Sequence, residues 1–492
     1  MIRLLTSIML MLSCTLVSAA PWAEPGDMRL RHSLQVLADQ GQLSTPLNTW
    51  PVMWSGTTLQ RQSAGQSQAR HGLTERAYLR FEQDRFARRG WNREFQAGAA
   101  NQSPQLRSFN DQPREGAELG LSAQWNGHAW AAGLSAQVTR EPADGRDWRG
   151  DGSYLAYTGD NWTLGVGAIE RWWGPGWHSA LVLSSNARPV PSVWLNRTHP
   201  QRSEHPLLAW LGPWQFTLAL GQLESARDIP EPRLLAMRFN FRPLDGLELG
   251  LSRLLMYGGG EEPKSGSALW NAVTLSQGTD RPGPQSPTQM AAVDARYGMA
   301  IGGVSGGVYG EAAGQAGEDR SLGHFIALAG VDLSYAWGGA SQRWLLEFTD
   351  TTAGNLFSRS RENVAYEDSV YRTGDRFRGR ALGSTFDSDA QALILGLQHY
   401  FADGRNLAVT LGRIRLNRSD NLVAVRPSDN VDYAIAREAI DLLQITARYE
   451  YPLWQGWLTL DGQWSDSTVE VATADGSGRS QGTLSAGWRY RF

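Results

Sequence analysis

The residues best suited to chemistry cluster in Arg171-Trp172-Trp173-Gly174-Pro175-Gly176-Trp177, followed by Ser184-Ser185-Asn186-Ala187-Arg188-Pro189-Val190-Pro191. A tryptophan has an apolar face and one N–H donor. A sugar ring has an apolar face and a hydroxyl rim, so Trp, Arg and Asn in one stretch suit carbohydrate. On this reading Arg171, Trp172, Trp173 and Trp177 form a glycan-binding group. Asn186 and Arg188 would add directional hydrogen bonds to hydroxyls or uronic-acid carboxylates. A competing reading makes the tryptophans an interfacial girdle, with Gly-Pro-Gly folding the loop into a barrel mouth.

Other chemistry is sparse. Gly303-Val304-Ser305-Gly306-Gly307 fits G-x-S-x-G, but a nucleophile elbow needs a strand-to-helix turn, and this serine falls in a Gly-rich strand. Glu318-Asp319 and Glu367-Asp368 read as solvated loop charge rather than as a carboxylate pair fixed around a sugar. The eight histidines show no metal-ligand spacing. Asp420, Asp429 and Asp432 leave a loop Ca²⁺ site open without matching an EF-hand. No catalytic residue, metal or cofactor is therefore assigned, and no enzyme is expected. A formal net charge of −3 gives no global basic field for nucleic acid.

The elements that must position the Trp-rich loop alternate at period two. From Thr483 the chain reads Thr-Leu-Ser-Ala-Gly-Trp-Arg-Tyr-Arg-Phe. Leu484, Ala486, Trp488, Tyr490 and Phe492 share one strand face, and Thr483, Ser485, Gly487, Arg489 and Arg491 the other. In a transmembrane barrel the apolar face meets lipid and the polar face the lumen. Arg448, Arg489 and Arg491 are then expected inside, paired with carboxylates. Trp488, Tyr490 and Phe492 resemble the C-terminal signal of outer-membrane barrels, read by the barrel-insertion machinery. Hairpins turn at Asn126-Gly127-His128 and Gly159-Asp160-Asn161. Further turns fall near Gly212-Pro213, Gly338-Gly339 and Asp403-Gly404. Short turns alternate with long polar loops, among them 171–202, 257–287 and 351–389, which matches short periplasmic turns and long extracellular loops. The count is about 18 strands, including one near Trp91–Ala100 and one near Ser203–Trp210.

The fold class is thus an all-β transmembrane barrel of about 18 antiparallel strands with a small N-terminal periplasmic α-helical segment. Residues 1–20 read as a signal peptide, with Arg3 before an apolar core and small residues at Val17-Ser18-Ala19-Ala20. Cys14, the single cysteine, would leave with it. Residues 21–90 form the helical segment. Asp27 caps a helix running to about Gln40, with Leu30, Leu34, Leu37 and Ala38 as its stripe and Gly41 as its stop. A second helix is predicted over roughly Gln66–Arg88, with Leu73, Ala77 and Phe81 on one face. Both need a surface and are expected to pack against or into the barrel end. Residues 91–492 form the barrel. The mean hydropathy of −0.38 does not exclude this, because a barrel strand hides half its residues from lipid. The 21 Trp and 54 Gly suit interfacial girdles and closely approaching strands.

Several strings resemble the Wzi family of outer-membrane capsule-assembly proteins: Pro21-Trp22-Ala23-Glu24-Pro25-Gly26-Asp27, Thr49-Trp50-Pro51, Arg171–Trp177 with Asn186-Ala187-Arg188-Pro189, Trp210-Leu211-Gly212-Pro213-Trp214, and Gly221-Gln222-Leu223-Glu224. They lie in the first half of the chain. The resemblance implies an 18-stranded barrel with a periplasmic helical bundle. It also implies a lectin-like protein that tethers capsular or extracellular polysaccharide in the outer membrane. The partners would be that polysaccharide, outer-membrane lipid and the insertion machinery. The alternative on the same fold is a gated porin for oligosaccharides or acidic solutes.

Overall fold

A computed structural model of the chain describes residues 22–59, 71–87, 90–109, 115–140, 142–261, 263–274, 288–315, 324–354, 362–368, 370–420, 433–472 and 481–492. The signal-peptide stretch and Asp429 and Asp432 lie outside these residues.

Period-two alternation does produce strands. In chain order they are β1 (Gly90–Ala100), β2 (Ala117–Asn126), β3 (Trp130–Arg140), β4 (Tyr154–Gly159), β5 (Trp162–Gly167) and β6 (Ser192–Arg197). Then come β7 (Trp214–Gln222), β8 (Arg233–Leu244), β9 (Leu247–Tyr257), β10 (Thr288–Ile301), β11 (Val304–Gln315) and β12 (His324–Trp337). The last six are β13 (Ala340–Gly354), β14 (Gln391–Tyr400), β15 (Asn406–Leu416), β16 (Ile440–Leu453), β17 (Gly456–Ser465) and β18 (Gly482–Arg491). Each pairs antiparallel with the next, and β18 pairs with β1 to close the barrel. Trp148–Arg149 pairs with β3 ahead of β4, so the two share one position and the barrel has 18 strands. Closure removes every free edge. Among the described residues no helix is long and apolar enough to cross a membrane; the strands do so.

The sixth strand differs from expectation. It is Ser192–Arg197, while residues 203–210 form turns leading into a short 3₁₀ helix, Ala209–Leu211. Residues 193–196 alternate as Val-Trp-Leu-Asn, with Val193 exposed and Trp194 buried. Pro189 and Pro191 confine the irregular backbone to the residues before them.

Sidedness follows the pleat. Leu251, Val293, Val331, Leu395 and Leu484 lie exposed on the outer wall. Trp488, Tyr490 and Phe492 stack outward with ring centroids 5.6 and 5.5 Å apart. Arg489 and Arg491 turn inward to Glu94, and Arg448 bonds Glu450 at 3.1 Å and Asp461 at 3.3 Å. One barrel end has short turns; at Gly338-Gly339 φ is +59° and +83°, the pair of positive values that a two-residue hairpin turn requires. The other end has the long loops.

Helix α1 (Met28–Asp39) lies inside the mouth at the short-turn end. Asp27 caps it, accepting from the Leu30 N–H at 2.8 Å, and Gly41 (φ +70°) follows its end. Nearly all of it is buried, charged residues included. Asp39 takes two bonds from Arg296, at 2.5 and 3.0 Å. Arg296 also bonds Asp332 at 3.0 Å, and Asp332 bonds Arg343. Arg343 Nε then donates to His32 Nδ1 at 3.0 Å, returning the chain of contacts to α1. Burial and the Arg343 charge hold His32 well below its ordinary pKa, which keeps Nδ1 free to accept.

Helix α2 (His71–Phe86) packs on α1 through Glu75, Leu79 and Glu82, and Tyr78 donates to Asp27 at 3.0 Å. The stripe of Leu73, Ala77 and Phe81 is the outer one: Leu73 and Phe81 are exposed. The face of α2 turned to α1 is mixed: Leu79 joins the apolar cluster of Leu30, Leu34 and Leu37, and Glu75 lies 3.6 Å from His32 Nε2.

The ion chain generates a prediction. Asp39→Ala leaves Arg296 with half of its carboxylate partners in a buried site, a change that typically costs about 3–5 kcal/mol. The barrel wall should survive while α1 loosens. Limited proteolysis of the purified protein should then cut within residues 22–59 faster than in wild type, with unchanged strand content by circular dichroism.

Candidate functional site

The loop between β5 and β6 runs down into the lumen. Trp172 pairs with Trp50 and Trp173 with Thr49 in a two-residue antiparallel ladder, and the Gly174 N–H donates to the Asn48 carbonyl at 2.9 Å. The N-terminal connector and the long loop thus meet inside the barrel. The connector is itself held. Glu248 accepts from the Leu47 and Asn48 N–H groups at 2.8 and 2.7 Å, and Arg238 donates to Thr49 Oγ1 and to the Asn48 carbonyl.

Carboxylates on the wall hold the loop backbone. Glu347 accepts from the N–H groups of Trp177, His178 and Ser179 at 2.6, 3.1 and 2.8 Å, and from the Tyr309 hydroxyl at 3.0 Å. Glu311 accepts from the Leu181 N–H at 3.2 Å. From below, Arg31 donates to the Pro175 and Gly176 carbonyls at 3.0 and 2.7 Å. The Arg31 and Arg343 guanidiniums sit 4.4 and 4.3 Å from the Trp177 ring centroid, a cation–π geometry. Gly174 has φ +137°, and a Cβ there would meet Glu311 at 2.5 Å. The Gly-Pro-Gly segment is therefore a close backbone approach to the wall.

Of the six glycan-binding candidates, five lie within this plug. Trp172, Trp173 and Trp177 are 1 %, 0 % and 1 % exposed. Arg171 donates to the Ile169 carbonyl, and Asn186 bridges the Ala381 carbonyl and Arg380. With the loop in this position no sugar ring reaches the three indole faces. Arg188 alone approaches the loop-end surface. It grips Asp151 at 2.7 and 2.9 Å and also bonds Asp144.

The loop between β13 and β14 forms the next layer. Arg376 donates to Asp387 at 3.0 and 2.5 Å, to Glu367 at 2.5 Å, and to the Tyr366 and Thr373 carbonyls. The Tyr366 hydroxyl donates to the Leu181 carbonyl at 2.7 Å and accepts from the Ser384 N–H at 2.9 Å. This layer rests directly on the first.

Sequence reasoning named Arg188 but missed its neighbours Arg146 and Arg378; the Arg146 backbone N–H donates to Asp144 at 3.2 Å. Arg378 approaches Asp144 at 3.5 Å. Burial raises the Asp144 carboxyl, but Arg188, Arg149 and Arg378 outweigh it and hold the group below the usual range. Burial and then repulsion from Arg188 and Arg146 lower Arg378. The signal was the run Arg376-Phe377-Arg378-Gly379-Arg380. A tight turn with φ +50° at Arg378 and +80° at Gly379 separates one half-buried arginine from two buried ones.

Ser305 of the G-x-S-x-G string sits on β11, next to the hairpin turn at Gly302-Gly303, and meets the Gln40 amide at 3.4 Å. That is a strand, not an elbow. Among the described residues no group of three or more His, Cys, Asp or Glu side chains could hold a metal ion.

An 18-strand antiparallel barrel, apolar outside and filled by its own N-terminus and loops, is an outer-membrane β-barrel of the plugged class. The family model for capsule assembly protein Wzi matches residues 87–481, and the chain belongs to that family. A Klebsiella pneumoniae relative, an uncharacterized 55.8 kDa protein in the cps region, is 27% identical over 334 residues. That match covers 66% of this chain and 64% of the relative, so this chain spans somewhat under two thirds of it. The solved structure of Escherichia coli Wzi, an outer-membrane protein involved in group 1 capsule assembly and a carbohydrate-binding β-barrel, is similar in fold. It superposes with a TM-score of 0.78 at 21% identity, covering 95% of this chain and 99% of that one.

Two predictions follow from the plug. Glu347→Ala strands three buried N–H groups, each costing about 1–3 kcal/mol, whereas Glu347→Gln keeps one acceptor oxygen. Thermal unfolding should show wild type above Glu347→Gln and Glu347→Ala lowest. The second concerns pH. Burial pushes Glu367 up to about 7 and, with Asp368 nearby, Asp375 up to about 7. The folded loop holds these protons more tightly than an open loop does. Its stability therefore falls as pH rises from the ordinary carboxylate range to about 7, and levels off above that. Hydrogen exchange in residues 362–389 should be slower at pH 5 than at pH 8 after correction for intrinsic rates, and Asp375→Asn should reduce the difference.

Proposed function

We propose that this protein is a surface tether for capsular or extracellular polysaccharide that assists capsule assembly by binding, without catalysis. The short-turn end, with α1 and α2, faces the periplasm, and the loop end faces outward. The observation that carries this reading is the filled lumen. Two loops and a helix are fixed there by buried carboxylates and guanidiniums, which suits a rigid platform better than a pore. The family membership and the carbohydrate-binding E. coli relative support the ligand class.

Among the candidate residues, Arg188 contacts the glycan in this proposal, joined by Arg146 and Arg378. Guanidinium forks suit uronic-acid carboxylates. Arg171, Trp172, Trp173, Trp177 and Asn186 act beneath, keeping the surface in position. The outward stack of Trp488, Tyr490 and Phe492 is the feature presented to the insertion machinery.

A second reading, solute passage, rests on one observation. A cavity of about 200 Å³ remains beside β1–β3, lined from Glu94 and Gln124 near the short-turn end to Asp151 and Ser185 on the loop side.

One pair of measurements separates the two. The tether should be silent in planar bilayers; a steady large conductance would favour passage. On cells displaying equal amounts of protein, Arg146→Ala with Arg378→Ala should weaken polysaccharide retention about tenfold or more, as loss of charged hydrogen bonds of about 1.5–3 kcal/mol implies. Unchanged retention would remove this cluster from the binding site.

A further inference from the structure

A helix lies on the outside of the barrel. Between β9 and β10 the chain forms α3 (Gly266–Thr274), capped by Ser265, whose Oγ accepts from the Ala268 N–H at 3.2 Å. Leu269 and Val273 pack on Leu235, Leu255 and Tyr257. The barrel register makes these outward positions. Leu235 pairs with Leu255, and two steps further Phe239 pairs with Leu251, which is exposed on the outer wall. The lumen side of the same strands carries Arg238 and Ser252, which bond each other. Leu255 and Tyr257 would therefore belong to the lipid-facing belt, yet they are buried, because α3 covers them.

Beneath the helix lies a charge in an unusual place. Arg253 is on the same outward face, paired with Met237 and Ala291. It donates to the Val273 carbonyl at 2.9 Å and to Gln289 Oε1 at 2.9 Å. A guanidinium on the lipid face is costly unless it is bonded. Here it holds the C-terminal turn of α3, where the helix leaves carbonyls without intrahelical partners. The polar pair thus pins the helix to the wall. On the far side of α3, Trp270 is 66% exposed, flanked by Ser267, Asn271 and Thr274.

We propose that α3 is an interfacial helix, seated in the membrane leaflet at the loop end, with lipid as the partner of Trp270. The exposed belt at Leu251 and Val293 runs up the wall directly to α3, so the lipid contact continues onto the helix. Indole rings favour that depth, with an apolar body and a polar N–H. The Trp270 ring stands on the side of α3 turned away from the wall, since Leu269 and Val273 take the side that packs on it. Helix α3 is thereby moored to the membrane as well as to the barrel.

The test uses the full chain in a Cys14→Ser background, reconstituted in phosphatidylcholine–phosphatidylglycerol vesicles. Nitroxide labels are placed at Trp270→Cys, at Leu395→Cys on the outer wall and at Asp403→Cys in a short turn. At position 270, oxygen collisions should exceed those of a water-soluble nickel complex, as at 395 and unlike 403. Nickel-dominated collisions at 270 would overturn the proposal. So would spin–spin broadening that grows with the protein-to-lipid ratio, which would indicate a second copy of the chain. A second measurement leaves the helix nearly intact. Brominated-chain lipid should quench a component of wild-type fluorescence that is missing in Trp270→Phe, and an unquenched difference would refute the assignment.

Discussion

The Asp332 carboxylate, held between Arg296 and Arg343 in the lumen, is the contact on which the interior depends. An 18-strand barrel encloses more space than inward side chains can fill. Something must occupy the space, and it must satisfy a wall that is polar on that face. Apolar packing alone cannot do so, because the inward face mixes apolar positions such as Trp194 and Leu254 with buried charge such as Arg238, Asp332 and Arg343. The solution is paired charge. Asp332 fixes two guanidiniums, and those reach Asp39 in the last turn of α1 and His32 in its first half. The helix is located by its charged residues, and its apolar stripe then closes over Trp50, Phe109 and Trp172. A buried charge that loses its partner is expensive, so the network specifies one position for the plug.

The same logic governs the upper layers. Glu347 collects three successive backbone N–H groups, and Arg376 directs its hydrogen bonds into its own loop. Neither loop has regular secondary structure of any length to satisfy its backbone. Buried irregular backbone is tolerated only where side chains supply the missing partners. The acidic and basic residues of the wall are better understood as backbone caps for these loops than as the lining of a channel.

Much of this was legible in the sequence and some was not, for identifiable reasons. Alternation at Leu484, Ala486, Trp488 and Tyr490 located β18 and its sidedness, because a period of two is imposed by the pleat and survives any loop. Asp27 and Gly41 marked α1, since capping is local chemistry. The sixth strand was misplaced at residues 203–210 because its six residues sit between prolines and a long turn, where periodicity is short. Leu73, Ala77 and Phe81 were legible as one face of the second helix, but not that this face points outward while Glu75, Leu79 and Glu82 are buried, since that depends on where α1 lies. The Trp172-Trp173 pair carried both of its readings equally well in sequence. Only the position of Thr49-Trp50, more than a hundred residues earlier, shows that the pair lies under the surface. No local pattern predicts that ladder.

The ladder has a consequence for the order of assembly. The loop after β5 rests on Asn48, Thr49 and Trp50 from the N-terminal side and on Glu311, Arg343 and Glu347 from strands that follow it in the chain. The loop after β13 rests in turn on Leu181. The first layer therefore has its full set of partners only when both the N-terminal connector and β13 are in place, and the second layer can seat only on the first.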